Sequence, residues 1–443
     1  MFVKFCLSVS IIIFTLLLSC NNVSKDSPDN VKVDTFPQPT STSDSSVVAK
    51  KNEVAQPLEG DYILVYDDTL ARRLAAIQIP GEKKSNPGYL DSLFTAEAKR
   101  IFEFQLLAED PTLEIYNATA FCLFARSRLS YSGLVAKSKL YRNTGLRRVE
   151  DNYLFRVDIP ESKSVAAPPT SEAQWGVLAV SNSSKPNGTY KAAWVLDTGI
   201  DPEHEDLNVD MVRSQSFVDG EALMDQNGHG THIAGIIGAK ANGTGVVGIA
   251  PNAPIRALKV ISSDNQIILG DLIRALNYVL FNSISGEVMN LSFVRGFGPD
   301  IDVPIIQSIA ARGVYVTIAA GNSSNMPSRS AENIDSYTYN GRTGVYPAAI
   351  NGPRIYTVSA FGSPLHDAIF ANYGPSVDFS MPGVNIISAE PLGQYSSRDG
   401  TSMAAPHLAG LLLLHNGSVH NSSKVLCSHD GNTYQVASEP KLD

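Results

Sequence analysis

Short apolar runs alternate with longer segments of helical apolar spacing through the C-terminal half of the chain. The runs have the length of buried strands, and the longer segments are long enough for helices. The predicted strands and helices are, in chain order, 192–196, 229–238, 255–260, 269–281, 288–293, 303–312 and 314–318. Such alternation predicts parallel strands joined by helices that cover the sheet. We therefore expect a three-layer α/β domain with a mainly parallel sheet over residues 173–420.

Three residues at predicted strand ends and helix starts carry the candidate chemistry. Ser402 lies between small residues at the start of an apolar helical segment, where a nucleophile can be presented. A serine hydroxyl is a poor nucleophile at neutral pH, so it needs a histidine that takes its proton and an acid that orients the histidine. His229 is flanked by glycines at a helix start, and Asp197 ends a buried strand. Ligands bind at this edge of open α/β sheets, so we expect the three side chains to meet there.

Each of these residues has a simpler interpretation when it is taken alone. Asp197 could be a turn former at the end of a strand, and Ser402 could be an ordinary helix N-cap. Their presence in one chain with His229 favours the catalytic interpretation. Structural roles are expected for three other histidines: His204, His232 and His407.

A fourth motif supports the same chemistry. In the segment 316–323 an apolar strand runs into a Gly-Asn pair that ends in Asn322. The three candidate catalytic residues occur in the order Asp, His, Ser, which is the order in subtilisin. With four motifs in this order, the chain resembles the subtilisin-like serine peptidases, the subtilases, from about residue 175 to about residue 414.

The resemblance implies a serine endopeptidase that hydrolyses peptide bonds through an acyl-enzyme and needs no cofactor for catalysis. The side-chain amide of Asn322 and the backbone N–H of Ser402 would stabilise the oxyanion that forms during attack. Two other interpretations remain open. One is a binding or scaffolding protein on an inactive protease fold, and the other is an acyl hydrolase that acts on esters.

The resemblance also implies where a peptide substrate binds. It assigns this role to five residues: Leu291, Ser292, Phe293, Gly321 and Val345. An extended peptide would pair with the strand around Ser292 by β-augmentation. Phe293 and Val294 add bulk where the family usually has small residues, and Val345 stands where several members have glycine. We therefore expect a shallow pocket that favours small or medium apolar side chains.

A loop at residues 240–251 has the spacing of the calcium-binding loop of subtilisins. By this resemblance, Asp206 and Asn242 would supply oxygen ligands of the kind that calcium prefers. The alternative is a turn held by glycines without a metal.

The N-terminus predicts export and lipid anchoring. Its apolar stretch, 5–18, is shorter than a membrane span and follows a single lysine, which is typical of a signal peptide over 1–20. It ends in Leu-Leu-Ser-Cys, which resembles a bacterial lipobox in which Cys20 is lipidated, although an incidental cysteine is the alternative. Residues 21–59 have the composition of a disordered tether. We expect a secreted or cell-surface protein, anchored by lipid to a bacterial membrane, with the outer membrane favoured because aspartate does not follow Cys20.

Residues 60–160 have a globular composition, with strands predicted at 61–66, 115–124 and 154–157 and a helix at 91–107. This small α+β domain resembles the inhibitory propeptides of subtilases, and an accessory binding domain is the alternative. A linker at 161–172 would be cut to release the peptidase domain from its own intramolecular inhibitor. The tail, 421–443, lacks the closing elements of the family and could form a short hairpin around residues 430–432.

Charge and cysteine content limit the remaining possibilities. The net charge of −9 gives no sign of nucleic-acid binding. Of four cysteines, only Cys122 and Cys427 would remain besides the lipidated one after removal of the signal peptide. They fall in different predicted domains, so we expect a fold that depends on its core without a disulfide.

Overall fold

The computed structural model describes residues 55–79, 83, 86–110, 112–138, 145–165, 174–181, 186–296, 300–323, 331–339, 342–427 and 431–439. The predicted signal peptide, Cys20 and most of the predicted tether lie outside the described residues. Within the described ranges, no helix is long and apolar enough to cross a membrane.

The N-terminal domain, residues 55–156, is an antiparallel sheet packed against helices. Its elements are β1 (Ala55–Tyr66), α1 (Asp68–Ala75), α2 (Pro87–Glu109), β2 (Glu114–Ala118), β3 (Cys122–Arg126), α3 (Tyr131–Ser138) and β4 (Leu146–Arg156). The strand order is β2-β3-β1-β4. The predicted strand 115–124 is two strands, because Thr119 Oγ1 accepts hydrogen bonds from the amides of Phe121 and Cys122 and closes a turn. β1 begins inside the predicted tether, where Ala55 pairs with Phe155 far along the chain.

Helix α2 forms where the sequence predicts a helix and extends beyond both predicted ends. Asn86 caps its first turn by accepting a hydrogen bond from the Tyr89 amide at 3.1 Å, and Pro87 follows at a position where no amide donor is needed. Apolar residues four apart form its buried face: Leu90, Phe94, Ala98, Phe102 and Leu106. Burial of each of the larger side chains contributes roughly 1.5–3 kcal/mol, so this face holds the helix on the sheet.

The main domain, residues 174–439, is built on the predicted parallel sheet. Its helices are α4 (Trp175–Val180), α5 (His229–Gly238), α6 (Leu269–Asn282), α7 (Asp302–Ala311) and α8 (Thr401–Leu414). The strands preceding α7 are β6 (Ala193–Asp197), β7 (Gln215–Ser216), β8 (Ile255–Lys259), β9 (Gln266–Ile268) and β10 (Val288–Leu291), and β5 (Lys163–Ser164) precedes the domain. Those that follow are β11 (Tyr315–Ala319), β12 (Thr338–Tyr339), β13 (Arg342–Thr343), β14 (Ile355–Gly362), β15 (His366–Asp367), β16 (Val377–Pro382), β17 (Ile386–Glu390), β18 (Gln394–Arg398), β19 (His420–Cys427) and β20 (Thr433–Ser438).

The central sheet has the order β19-β20-β16-β14-β11-β10-β6-β8-β7 and is parallel except at the β19–β20 pair and the short β15. Successive residues of β6 show the three layers. Trp194 and Leu196 pack in one apolar cluster with α6 and α7, whereas Ala193 and Val195 pack in the other with α5 and α8. The predicted three-layer α/β architecture is confirmed.

The C-terminal segment is part of the main domain and not a separate tail. β19 and β20 form an antiparallel hairpin, and Gln435 of β20 pairs in parallel with Phe379 of β16. Val436 is fully buried. The hairpin extends the sheet past β16, whose backbone groups would otherwise lie at an open edge.

The two domains share backbone pairing. β4 pairs antiparallel with β9, with Phe155 opposite Ile267 and Arg156 opposite Gln266. The N-terminal sheet therefore continues into the main domain. Side chains add to this contact: Asn152 Oδ1 accepts from the Gly270 amide at 3.0 Å.

Candidate active site

Asp197 and His229 form a buried pair at the carboxyl edge of the sheet. Asp197 is the last residue of β6 and His229 the first residue of α5, and both are almost fully buried. His229 Nδ1 lies 2.7 Å from Asp197 Oδ1. This contact places the proton of the neutral ring on Nδ1 and leaves Nε2 as the basic nitrogen. Among the described residues, His229 Nε2 has no hydrogen-bond partner.

Asp225 holds this pair in place, and sequence reasoning missed it. Its Oδ1 accepts from the Gly228 amide and the Thr198 hydroxyl, both at 2.8 Å. Its Oδ2 accepts from the amide and the hydroxyl of Thr231. The carboxylate thus ties the residue after Asp197 to the turn and helix that carry His229. The sequence does contain a signal for this role: Asp225 lies three residues before Gly228, and aspartates commonly close such turns.

Ser402 lies in the first turn of α8, and its hydroxyl points to the backbone of the neighbouring strand. Ser402 Oγ donates to Ser292 O at 2.8 Å, and Ser292 Oγ donates to Ser402 O at the same distance. The structure therefore brings Ser402 to the predicted peptide-binding segment. A hydrogen bond from Ser402 to His229 is not formed in this arrangement.

Asn322 has the orientation required of an oxyanion donor. Its Oδ1 accepts from both the amide and the hydroxyl of Thr401 at 3.0 Å. The Nδ2 group is thereby turned toward Gly400, where a Cβ atom would lie only 3.3 Å from it. Because position 400 is glycine, no Cβ crowds this N–H donor, and Pro160 Cγ comes within 3.0 Å of the position that such a Cβ would take. The arrangement can stabilise a negative charge that develops next to Ser402.

A stretch of the chain itself passes next to Gly400, two residues before Ser402. We call residues 157–165 the crossing segment. The Val157 amide donates to Asn265 O at 2.9 Å at one end, and β5 pairs with β18 at the other. Between these ends, Pro160 Cγ lies 3.0 Å from the position that a Cβ of Gly400 would take. With the segment in place, His229 is 0% exposed and Ser402 is 6% exposed.

The predicted substrate-binding residues are buried in this structure. Leu291, Ser292 and Phe293 are each less than 5% exposed. Gly321 has a φ of +90°, and the Val294 side chain comes within 2.9 Å of its ideal Cβ position. Val294 therefore fills the space in front of Gly321, whereas Val345 is fully buried and its amide donates to Ile334 O.

Substitution of Val294 by glycine is expected to widen the predicted substrate pocket in front of Gly321. Removal of the isopropyl group should raise kcat/KM for a phenylalanine immediately before the cut, relative to alanine, by roughly tenfold or more. The check is hydrolysis of two peptides that differ only at this residue. Val345→Gly serves as the matched control. If it, and not Val294→Gly, changes the preference, Val345 limits the pocket instead.

The candidate calcium ligands meet, but their oxygens are already engaged. Asn242 Nδ2 donates to Asp206 Oδ1 at 2.9 Å, and the Val246 amide and Tyr395 hydroxyl donate to Asp206 Oδ2. The Asn242 oxygen accepts from the amide and hydroxyl of Thr244. Within the described residues, no group of three acidic, histidine or cysteine side chains could hold a metal ion. Hydrogen bonds therefore engage these oxygens in this structure, and the predicted calcium site stays a prediction.

A chelator is therefore expected to leave the thermal stability unchanged. The loop is held by hydrogen bonds to Asp206, so removal of metal should not shift the unfolding midpoint. The measurement is thermal unfolding of the Ser402→Ala chain with EDTA and with added calcium. A rise of several degrees with calcium would show that Asp206 and Asn242 exchange these hydrogen bonds for metal coordination.

Two other histidines are held in structural contacts. His232 Nε2 lies 3.1 Å from Ile386 O, and burial keeps the pKa of this ring well below its ordinary value. His407 Nδ1 lies 2.8 Å from Met403 O, and burial lowers the pKa of His407 to about 4. Both rings are therefore neutral at pH 7, and their hydrogen bonds go to backbone carbonyls.

Comparison with known proteins gives consistent matches. Residues 194–424 match the Peptidase_S8 domain, described as the subtilase family. The chain is 35% identical over 221 residues to subtilisin DY of Bacillus licheniformis, covering 50% of this chain and 74% of the relative. It is 36% identical over 245 residues to subtilisin BL of Lederbergia lenta, covering 54% and 82%. The crystal structure of a cold adapted subtilisin-like serine proteinase superposes with a TM-score of 0.51 at 28% identity, covering 61% of this chain and 100% of that one.

Proposed function

The chain belongs to the subtilase family and is a serine endopeptidase, and from this premise we propose that it is made as a precursor whose own N-terminal domain blocks the catalytic groove. The observation that carries the proposal is the crossing segment, whose Pro160 lies next to Gly400, two residues before Ser402, and accepts a hydrogen bond from Arg398. The β4–β9 pairing holds the N-terminal domain where this segment begins. Cutting within the segment would release the groove.

In the proposed mechanism, His229 is the general base and Ser402 the nucleophile. Asp197 accepts the Nδ1 proton of His229, which orients the ring and stabilises it when it becomes charged. Ser402 Oγ must rotate away from Ser292 O so that it can donate to His229 Nε2. As Oγ attacks the peptide carbonyl, the carbonyl oxygen becomes an oxyanion next to Asn322 Nδ2 and the Ser402 amide. His229 then gives its proton to the leaving amine, and water hydrolyses the acyl-enzyme.

The Ser292 backbone links inhibition to catalysis. A peptide that adds to the strand around Ser292 uses the carbonyl oxygens of that strand as acceptors. In the precursor, Ser402 Oγ uses the Ser292 oxygen instead. We therefore expect Ser402 Oγ to leave Ser292 O and to donate to His229 Nε2 when a substrate pairs with the strand around Ser292.

The test follows the intact mass and the peptidase activity of the purified precursor in parallel. We expect little activity in the uncut chain and a rise that follows cleavage within residues 157–165 and loss of the N-terminal fragment. Full activity in a chain whose mass is unchanged would contradict the proposed block. It would not contradict the assignment as a serine endopeptidase.

The folded precursor is expected to lose stability as pH rises. Burial raises the pKa of Asp271 to about 7 against the lowering effect of Arg274, with smaller contributions from the negative charges of Asp219 and of Asp61 across the contact. An acid whose pKa is raised in the folded state stabilises the fold when it is protonated. This contribution to the unfolding free energy is complete below the unfolded pKa of about 4 and is lost as the pH rises to about 7. Full-length Ser402→Ala should therefore lose up to about 1.4 kcal/mol of unfolding free energy per pH unit in this window.

The matched control for this pH effect is the additional substitution Asp271→Asn. It keeps the shape of the side chain and removes its titration, so the decline between pH 5 and 7 should become shallower. Denaturant unfolding at each pH measures the difference. Parallel curves for the two proteins would show that Asp271 does not carry the effect.

The proposal extends to the position of the enzyme in the cell. Cys20 would carry lipid and hold the folded domains outside a bacterial membrane, with the outer membrane favoured. Support comes only from the lipobox-like sequence and the polar stretch that follows it. Labelling with a radioactive fatty acid tests this point, and equal labelling of Cys20→Ser would contradict it.

A further inference from the structure

Arg398 is a buried arginine that contacts the crossing segment. Its side chain is 2% exposed, although it lies only four residues before Ser402. Arg398 Nε and Nη2 both lie 2.8 Å from Glu390 Oε1. Nη1 points the other way and donates to Pro160 O at 2.7 Å. One edge of the guanidinium is therefore held by Glu390, and the Nη1 group on the other side binds the crossing segment.

The Arg398–Glu390 pair is built into the wall of the active site. Arg398 Nη2 also donates to Asn227 O at 3.1 Å, in the turn that leads to His229. A Cβ at Gly228 would lie 1.8 Å from Glu390 Oε2, so this pair packs directly against the turn. The position of Arg398 is therefore fixed before any peptide binds.

The bound carbonyl lies on the leaving-group side of the reacting position. A carbonyl under attack must face Asn322 Nδ2 and Ser402, but the carbonyl of Pro160 faces Arg398. The pyrrolidine ring lies beside Gly400, and the residues that follow run antiparallel to β18, with Lys163 opposite Ser397 and Ser164 opposite Ser396, so the segment leads away from Ser402. Arg398 thus binds the chain at or beyond the bond that the enzyme would cut.

The contact recognises backbone and not side chains. Glu390 neutralises the guanidinium, so the pair offers an N–H donor without a net charge. A cavity of about 480 Å³ lies alongside, lined by Ser162 and Ser164 of the crossing segment and by Glu390. It leaves room for side chains of different sizes on this side of the groove. Every peptide residue offers a carbonyl, so the donor suits a protein substrate of varied sequence.

We propose that Arg398 is a specificity-determining residue that selects peptides extending past the scissile bond by binding a main-chain carbonyl on the leaving-group side. The inference rests on the proposed function, because it takes the crossing segment as a guide to how substrate lies in the groove. The Arg398 donor favours endopeptidase activity, because a substrate that ends at the scissile bond has no carbonyl for this donor to bind.

The test compares two substrates in the full chain after it has processed itself. Both share the same residues before the cut; one ends there in a chromogenic anilide, and the other continues for three residues to a quencher. The ratio of their kcat/KM values reports the benefit of the extension and is insensitive to the fraction of active enzyme. Arg398→Met should lower this ratio by roughly tenfold or more, the loss of a hydrogen bond to a charged donor. Arg398→Lys, which keeps one donor, should lower it less.

Arg256→Met is the matched control. Arg256 is an arginine whose side chain is 12% exposed and paired with a buried carboxylate, Glu287, and no hydrogen bond or ion pair joins it to the described crossing segment. The ratio of the two kcat/KM values for Arg256→Met should stay at the wild-type value even if this variant is less stable. An unchanged ratio in both Arg398 variants would overturn the inference. Absence of hydrolysis of either substrate by the wild type would instead count against the proposed function.

Discussion

Replacement of Ser402 by alanine should lower peptide hydrolysis by about 10⁶-fold, the loss that follows removal of the nucleophile in subtilisin. No other described hydroxyl takes its place, because Ser292 Oγ is committed to Asn290 and to Ser402 O. The small residual rate would come from Asn322 and from substrate binding. The fold should persist, because the lost hydroxyl makes one hydrogen bond, to Ser292 O.

The measurement is casein or peptide hydrolysis by purified protein, together with the intact mass of the chain over time. Wild type should lose its N-terminal domain, whereas Ser402→Ala should stay full length. Ser292→Ala is an informative comparison, since it removes a nearby hydroxyl that is not the proposed nucleophile. Activity of Ser402→Ala within tenfold of the wild type would contradict the assignment.

Replacement of Asp197 by asparagine should lower kcat by about 10⁴-fold. An amide at this position can donate to His229 Nδ1, so the proton would move to Nε2 and the ring could no longer accept a proton from Ser402. The amide also fails to stabilise the charged ring. Donation to His229 would place the amide nitrogen where Asp197 Oδ1 now accepts from the Thr198 amide at 2.8 Å, so the variant would also lose that hydrogen bond.

The kcat of Asp197→Asn is best followed across pH with a reactive ester and with a peptide. The ester needs less help from the base, so its hydrolysis should be less impaired than that of the peptide. Asp225→Asn offers a comparison with the other buried carboxylate in this region, which acts on the position of His229 and not on its proton. Equal losses for both variants on both substrates would argue that Asp197, too, has only a structural role.

Much of the fold could be predicted because local pattern and final structure agree. The run before Asp197 is a buried strand on both faces, and the glycine-flanked His229 begins a helix, as expected. These features depend on neighbours in sequence. The sequence also predicts that Asp197 and His229 belong to one edge of the sheet, since parallel strands place their carboxyl ends together.

The features that escaped prediction depend on partners distant in the chain. β1 begins at Ala55 because its neighbour is Phe155, and the C-terminal hairpin is stable because β16 offers an edge to Gln435. The role of Arg398 follows from Pro160, which lies more than 200 residues earlier. None of these pairings leaves a periodic signal in the sequence.

The candidate calcium site shows how a motif can be present while its oxygens have partners that the motif does not predict. Asp206 and Asn242 have the expected spacing and do meet. The hydroxyl of Tyr395, however, comes from the β17–β18 hairpin and donates to Asp206. A third partner from so far along the chain could not be inferred from the loop alone.

Covalent labelling of the processed enzyme with a fluorophosphonate tests the central claim most directly. The reagent reacts with a serine that is activated by a base and placed beside an oxyanion hole. Peptide mapping by mass spectrometry should find one adduct per chain, on Ser402, formed at the rate at which activity disappears. Complete inactivation with the adduct on another residue, or full activity with Ser402 fully labelled, would contradict the account.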